Sequence, residues 1–271
     1  MAFLQRNTTI LSGTSLQNPL TANKPSGTVE GDMMVIWFCG GSNSRRNITP
    51  PSGWSVIYNQ SSPDLGGSGQ QFGYYKVATA SEPSSYSFAF SGTNPINAAK
   101  LILTSYYDTN GTGTWTVSNL GGGKLQSTAG SITSLSITGA GLYITAFFSD
   151  DDDNPTTDNS PVPEIARSVA NGGTFITYGG DYTATNHTIT QNFDNRDDLY
   201  ANNVIFAHQV SGDYVSKIRV GSAYKNILDG WVAVDEGLFP GSATSWKKIT
   251  GGHIKIGDGQ KGDWKEIFKP Q

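Results

Sequence analysis

The stretch GDMMVIWFCGG (Gly31–Gly41), followed by ITPPSGWSVI (Ile48–Ile57) and FGYYKVATASEPSSYSFAF (Phe72–Phe90), decides the fold. Met33–Phe38 is a short apolar run bounded by Gly-Asp and Gly-Gly, which predicts a strand buried on both faces rather than a helix. Pro50, Pro51 and Gly53 then break regular pairing and turn the chain ahead of Trp54, because proline offers no N–H and fixes φ. Phe72, Tyr74 and Lys76 alternate with Gly73, Tyr75 and Val77, the period-two pattern of a strand. Glu82-Pro83 closes that strand, and Tyr86, Phe88 and Phe90 open the next.

Outward from this stretch the composition agrees. Only 15% of the 271 residues are charged, against 11% aromatic and 33 glycines, which leaves little material for the wet faces of surface helices. The expected class is all-β: a jelly-roll-like β-sandwich over residues 1–211 and a small C-terminal β-hairpin repeat segment over 212–271. A net charge of −4 and a pI near 5.3 supply no basic field for a phosphate backbone, so no nucleic-acid partner is expected. Cys39, the single cysteine, ends an apolar run and reads as a small buried hydrophobe. No stretch approaches the ~18 apolar residues of a membrane helix, and MAFLQRNTTILSG lacks the pattern of a signal peptide. Neither membrane insertion nor signal-directed export is therefore expected.

Turn signals divide the first part into about ten to twelve short strands. Leu142–Phe148 (LYITAFF) is a second fully apolar strand, expected beside Met33–Phe38 at the centre of one sheet. Gly121–Gly123 reads as a turn, and Asn192–Asn203, with Asp194, Arg196, Asp197 and Asp198, reads as a loop. After Gly212 the texture changes, and half of the six tryptophans lie there. A weak repeat relates Lys217–Ile227 (KIRVGSAYKNI) to Ile254–Ile267 and to Ser245–Ile249 (SWKKI), each unit an alternating strand, a Gly turn and an aromatic-Lys-x-Ile strand. Hairpins of this size bury too little surface to stand alone. Packing between chains, and so a homo-oligomer, is expected.

Three polar loops are the candidate ligand-facing surfaces: Ser42–Asn47 with Arg45 and Arg46, Gln60–Gln71 with Asp64, and Asp150–Asn159 with Asp158. Their Asn, Asp, Ser, Gly and Tyr suit polyhydroxylated ligands, since amides bond sugar hydroxyls and aromatic faces stack on the rings. The same composition describes ordinary solvated loops. Asp150, Asp151, Asp152 and Asp153 are the metal candidates. Four consecutive carboxylates could take calcium, or form a solvated loop, since the alternate spacing and the bend glycine of calcium loops are missing. No cofactor site is expected. His187, His208 and His253 form no pair at metal-ligand spacing, and no GxSxG elbow, P-loop or GxGxxG before a helix occurs. No catalytic residues are assigned and no enzyme is expected; His187 and His208 read as structural.

The opening stretch resembles a β-sandwich module of bacteriophage tail-fibre and related virion-appendage proteins. In that module a Gly-Asp strand precedes a TPPxGW turn and a YYKxATAxEPxSYxFxxSG strand pair, and Ala98–Gly111 (AAKLILTSYYDTNG) is similar to its continuation. KIRVGSAYKNI, SWKKI and IKIGDGQKGDWKEIF are similar to the VKVGGxWK repeats at the ends of phage fibre proteins. The resemblance implies a structural virion protein assembled in a host cytoplasm, a tail-fibre or receptor-binding subunit, trimeric, with host surface polysaccharide or another tail or capsid protein as partner. A capsid-decorating, collar or head-fibre protein is the alternative it leaves open, and a glycan depolymerase is a third reading. The resemblance also implies architectural parts for Pro50, Pro51 and Gly53 in a turn, for Trp54 packed across the sandwich, and for Glu82 and Pro83 at a strand end.

Overall fold

The computed structural model describes residues 3–16, 18–41, 47–61, 69–91, 96–134, 136, 138–149, 153–169, 173–182 and 188–210, and beyond them the strands of the C-terminal part. The chain divides into two compact units, Met1–Gln209 and Val210–Gln271. Every regular element among the described residues is a strand, so the protein is all-β.

The first unit runs β1 (Phe3–Leu16), β2 (Leu20–Asn23), β3 (Met33–Gly41), β4 (Ile48–Thr49), β5 (Ser55–Ser61), β6 (Gly69–Val77), β7 (Ser85–Phe90) and β8 (Ile96–Asp108). It continues through β9 (Gly113–Thr133), β10 (Gly141–Ser149), β11 (Pro155–Asp158), β12 (Glu164–Val169), β13 (Thr174–Tyr182) and β14 (Thr190–Val210). These make a five-stranded sheet, β1-β8-β3-β6-β5, a three-stranded sheet, β2-β7-β4, and a six-stranded sheet, β11-β14-β10-β13-β12, with β9 paired to β14.

Three apolar clusters explain why the apolar runs are continuous rather than alternating. Met33, Val35, Trp37, Ile102 and Tyr106 of the five-stranded sheet meet Ile144, Phe148, Phe175, Val204 and Phe206 of the six-stranded one. On the other face of the five-stranded sheet, Met34, Ile36, Phe38 and Tyr74 meet Leu20, Ile48, Phe88 and Phe90 of the small sheet. The far face of the six-stranded sheet carries Tyr143, Phe147, Tyr178 and Ile205, covered by Ile132, Val162, Ile189 and Phe193. Both large sheets are thus buried on both faces, the condition that makes a strand apolar throughout. β3 is such a strand, as its sequence predicts, and all nine residues of β10 are buried.

Three expectations change. Leu142–Phe148 does not join Met33–Phe38 in one sheet: β3 pairs with β6 and β8, whereas β10 pairs with β13 and β14. Each apolar run is the central strand of its own sheet, and the two face each other across the core. Gly121–Gly123 lies inside the 21-residue β9, not in a turn. Asn192–Asn203 lies inside β14, which is also 21 residues long, not in a loop. Leu199–Phe206 ladders to β10, from Ser149 opposite Leu199 to Leu142 opposite Phe206, and Phe193 pairs with Pro155 of β11, so pairing overrides the weak strand propensity of an Asn- and Asp-rich segment.

The second unit contains β15 (Lys217–Val220), β16 (Ala223–Asn226), β17 (Trp231–Asp235), β18 (Thr244–Lys248), β19 (Gly252–Ile256) and β20 (Asp263–Phe268). They pair two by two as antiparallel hairpins. WVAVD (β17) is the first strand of the copy that the sequence reveals only as SWKKI. The three registers coincide: Ile218 faces Lys225, Val232 faces Lys247 and Ile254 faces Lys265, and one step on Arg219, Ala233 and Lys255 face Tyr224, Trp246 and Trp264. Connections of two, eight and six residues yield the same pairing, so the side-chain pattern sets the register rather than the turn.

Candidate functional site

The motif residues of Gly31–Phe90 converge on one buried carboxylate. Glu82 Oε2 accepts hydrogen bonds from Lys76 Nζ and the Tyr86 hydroxyl, both at 2.8 Å, while Oε1 accepts from the Thr79 N–H at 2.8 Å and the Thr79 hydroxyl at 2.9 Å. Burial pushes this carboxyl up, but those four donors outweigh it and hold the group down at about 2. The carboxylate therefore ties the end of β6 to the start of β7. Trp54 stands edge-on to Tyr86 and Phe88 at 5.1 and 5.4 Å. It lies between the five-stranded and three-stranded sheets, not across the interface of the two large ones. Pro51 C=O accepts from the Trp54 N–H at 3.4 Å, and Gly53 turns the chain at φ +86°, where a Cβ would stand 3.3 Å from Lys76 Cε. Pro50 is half-buried and Pro83 is exposed beside this cluster's turns.

Asp32 of the Gly-Asp pair is equally engaged. Its carboxylate takes a forked pair from Arg6 at 2.6 and 3.0 Å and accepts from the Val29 N–H at 2.9 Å. Arg6 lies 4.3 Å over the Tyr107 ring. The fork locks β1 to the turn before β3.

A stability consequence follows for Glu82. A carboxyl whose folded value is depressed adds stability that is present above its unfolded value, ~4.3, and lost as pH falls toward about 2. Glu82→Gln is expected to cost about 1–3 kcal/mol at neutral pH, and urea unfolding at pH 7 and pH 3 should show less acid destabilisation than in the parent. Equal losses in both proteins would remove Glu82 from this account.

Polar groups are also buried between the large sheets. His208 Nδ1 lies 2.9 Å from Asp108 Oδ2, with the two side chains 1% and 0% exposed. Asp108 Oδ1 accepts from the Asn110 N–H at 2.8 Å and the Asn110 amide at 2.6 Å. Burial raises the Asp108 carboxyl, and the Asn110 N–H, His208 and the Asn110 amide overcome it, so the group sits below its ordinary value. The His208 ring lies 4.2 Å from Trp115 and 6.4 Å from Phe3, and Nε2 has no hydrogen-bond partner. A carboxylate orienting a histidine is half of a nucleophile-activating arrangement. Here the other half is absent among the described residues: no hydroxyl or thiol bonds Nε2. The pair joins the end of β8 to the end of β14, one from each large sheet.

Further along the same interface, Gln71 donates to Ala146 C=O at 3.5 Å and its side-chain carbonyl accepts from the Asn202 amide, again bridging the sheets. Lys100 is fully buried. Cys39, its ladder partner, is buried as well, and burial pushes its thiol well up, away from the reactive thiolate.

The three candidate ligand-facing loops differ in what the structure shows of them. Asp153 is buried, with Oδ2 accepting from the Ser149 hydroxyl at 2.9 Å and its carbonyl accepting from the Thr174 hydroxyl. Its side chain thus closes the end of β10. Asp158 is exposed and accepts from the Ser160 N–H at 2.9 Å. Asp150, Asp151, Asp152, Arg45, Arg46, Asp64 and His187 lie outside the described residues. Among the described residues no three His, Cys, Asp or Glu gather as a metal site. Sequence reasoning missed Asp108, Gln71, Asn202 and Lys100, whose roles depend on which strands face each other. No family profile, curated protein or solved structure matches the chain.

Proposed function

We propose that the protein is a non-enzymatic structural subunit of a bacteriophage virion, a tail-fibre or receptor-binding component. The observation that supports this reading is the fate of the residues by which Gly31–Phe90 resembles the virion-appendage module. Asp32, Gly53, Trp54 and Glu82 are engaged in internal bonds and packing, so the motif builds a scaffold and presents no reactive group. A unit whose two large sheets are buried on both faces is a stiff support for surface loops. The loops bearing Arg45, Arg46, Asp64 and Asp158 are the assigned contacts to host polysaccharide or to a neighbouring virion protein.

The test is location and activity together. Immunogold labelling of purified particles is expected to mark the tail. Label spread over the shell would replace this reading with capsid decoration, and absence from particles would end it. Purified protein is expected to release no sugar from host polysaccharide, and release would make it a depolymerase.

A further inference from the structure

We infer that Asn110 is a self-modification site, an asparagine that loses its amide to the backbone of Gly111 unless Asp108 holds it, and that its conversion loosens the tie between the large sheets. Asn110-Gly111 lies in the turn from β8 to β9, and both residues are exposed to water. In this reaction the Gly111 nitrogen attacks Cγ of Asn110. The new C–N bond closes a cyclic imide, the Cγ–Nδ2 bond breaks, and the amide nitrogen leaves as ammonia with the proton from the Gly111 N–H. Water then opens the ring at either carbonyl, leaving an aspartate or its isomer linked through the side chain. Water is the only co-reactant. Glycine in the second position has no Cβ to obstruct the approach, and Gly111 stands at φ +123°. The other Asn-Gly pair of the sequence, Asn171-Gly172, lies outside the described residues.

Hydrogen bonds to Asp108 restrain each reacting group. Its Oδ1 accepts from the Asn110 amide at 2.6 Å and from the Asn110 N–H at 2.8 Å, which ties down the amide that has to depart. Its backbone C=O accepts from the Gly111 N–H at 3.2 Å, so the attacking nitrogen is engaged as well. Asp108 is buried, and its Oδ2 lies 2.9 Å from His208 Nδ1. The restraint on Asn110 and the tie between β8 and β14 are therefore the same carboxylate. Conversion does not leave that tie intact. A carboxylate at position 110 sets an acceptor where a donor met Asp108 Oδ1, and two like charges so close disfavour each other. Each conversion is thus a one-way record that this end of the molecule has opened.

The experiment follows the tryptic peptide Leu101–Lys124 by mass spectrometry as the full chain ages at mildly alkaline pH. Conversion in the folded parent is expected to run about tenfold or more below that of the same chain in urea, because a hydrogen bond to a charged group has to break first. Asp108→Ala, held where it keeps a cooperative unfolding transition, is expected to lose this protection. Gly73→Ala, which crowds Trp37 and leaves the turn alone, is expected to keep it. Asn110→Asp should also unfold at lower urea than Asn110→Ala, which removes the donor without adding a charge. The parent comparison and the two Asn110 variants do not depend on Asp108→Ala folding. Equal conversion in folded and unfolded parent would overturn the inference, as would protection that survives in Asp108→Ala or vanishes in Gly73→Ala. Equal urea midpoints for the two Asn110 variants would separate the modification from the tie between the sheets and overturn that part of it.

Discussion

Replacing Asp108 by Ala is expected to lower the unfolding free energy by about 3 kcal/mol, since leaving a buried group without its hydrogen-bond partner costs about 1–3 kcal/mol. The change strips His208 Nδ1 of its partner inside a wall of Trp115 and Phe3, where Nε2 is already without one. It also frees the Asn110 N–H and amide that hold the turn after β8. The exposed Glu30, replaced by Ala, serves as control and is expected within about 0.5 kcal/mol of the parent. The effect has a pH signature. Because the folded Asp108 carboxyl is depressed, its contribution is complete above its unfolded value, ~3.9, and fades as pH falls through the lower folded value. The gap between parent and Asp108→Ala should therefore narrow in strong acid. Urea titrations across that range measure it, and a neutral-pH loss under about 1 kcal/mol would show that water replaces the lost contacts.

That pair also marks where sequence stops informing structure. Asp108 and His208 are 100 residues apart, and each reads only as a polar residue at a strand end. Their meeting depends on β8 and β14 lying in facing sheets. The apolar runs of β3 and β10 are legible because burial on both faces leaves a continuous hydrophobic signature. The same signature hides their pairing: two strands apolar throughout are chemically alike, and periodicity does not say which neighbours each takes. β14 is illegible for the opposite reason. Asn192–Asp198 has loop composition, and tertiary bonds such as those from the Asn154 N–H and amide to the Asp194 carboxylate, at 2.8 and 2.9 Å, come from 40 residues away. In the second unit the repeat can be read from aromatic-Lys pairs, whereas WVAVD, with neither glycine nor lysine, needs the ladder to Thr244–Lys248 to be recognised.

The central pair of the five-stranded sheet, β3 and β6, supplies the second large effect. Gly73 faces Trp37 across their ladder, and a Cβ added there would stand 2.3 Å from Trp37 Cζ3, 2.6 Å from Cε3 and 2.9 Å from Cη2. The indole is 1% exposed and lies in the interface between the large sheets, so it cannot swing into solvent. Gly73→Ala is therefore expected to cost about 3 kcal/mol, the upper end for overpacking a close-packed interior. A cycle separates this cause from a general intolerance of β6. Trp37→Phe leaves a void and should itself destabilise, but it sacrifices no hydrogen bond, since the indole N–H has no partner. In the Trp37→Phe background the alanine methyl gains room, and the double variant should be more stable than the sum of the singles by about 1–2 kcal/mol. Additive losses would mean that Gly73 is required by the strand's backbone rather than by the ring above it.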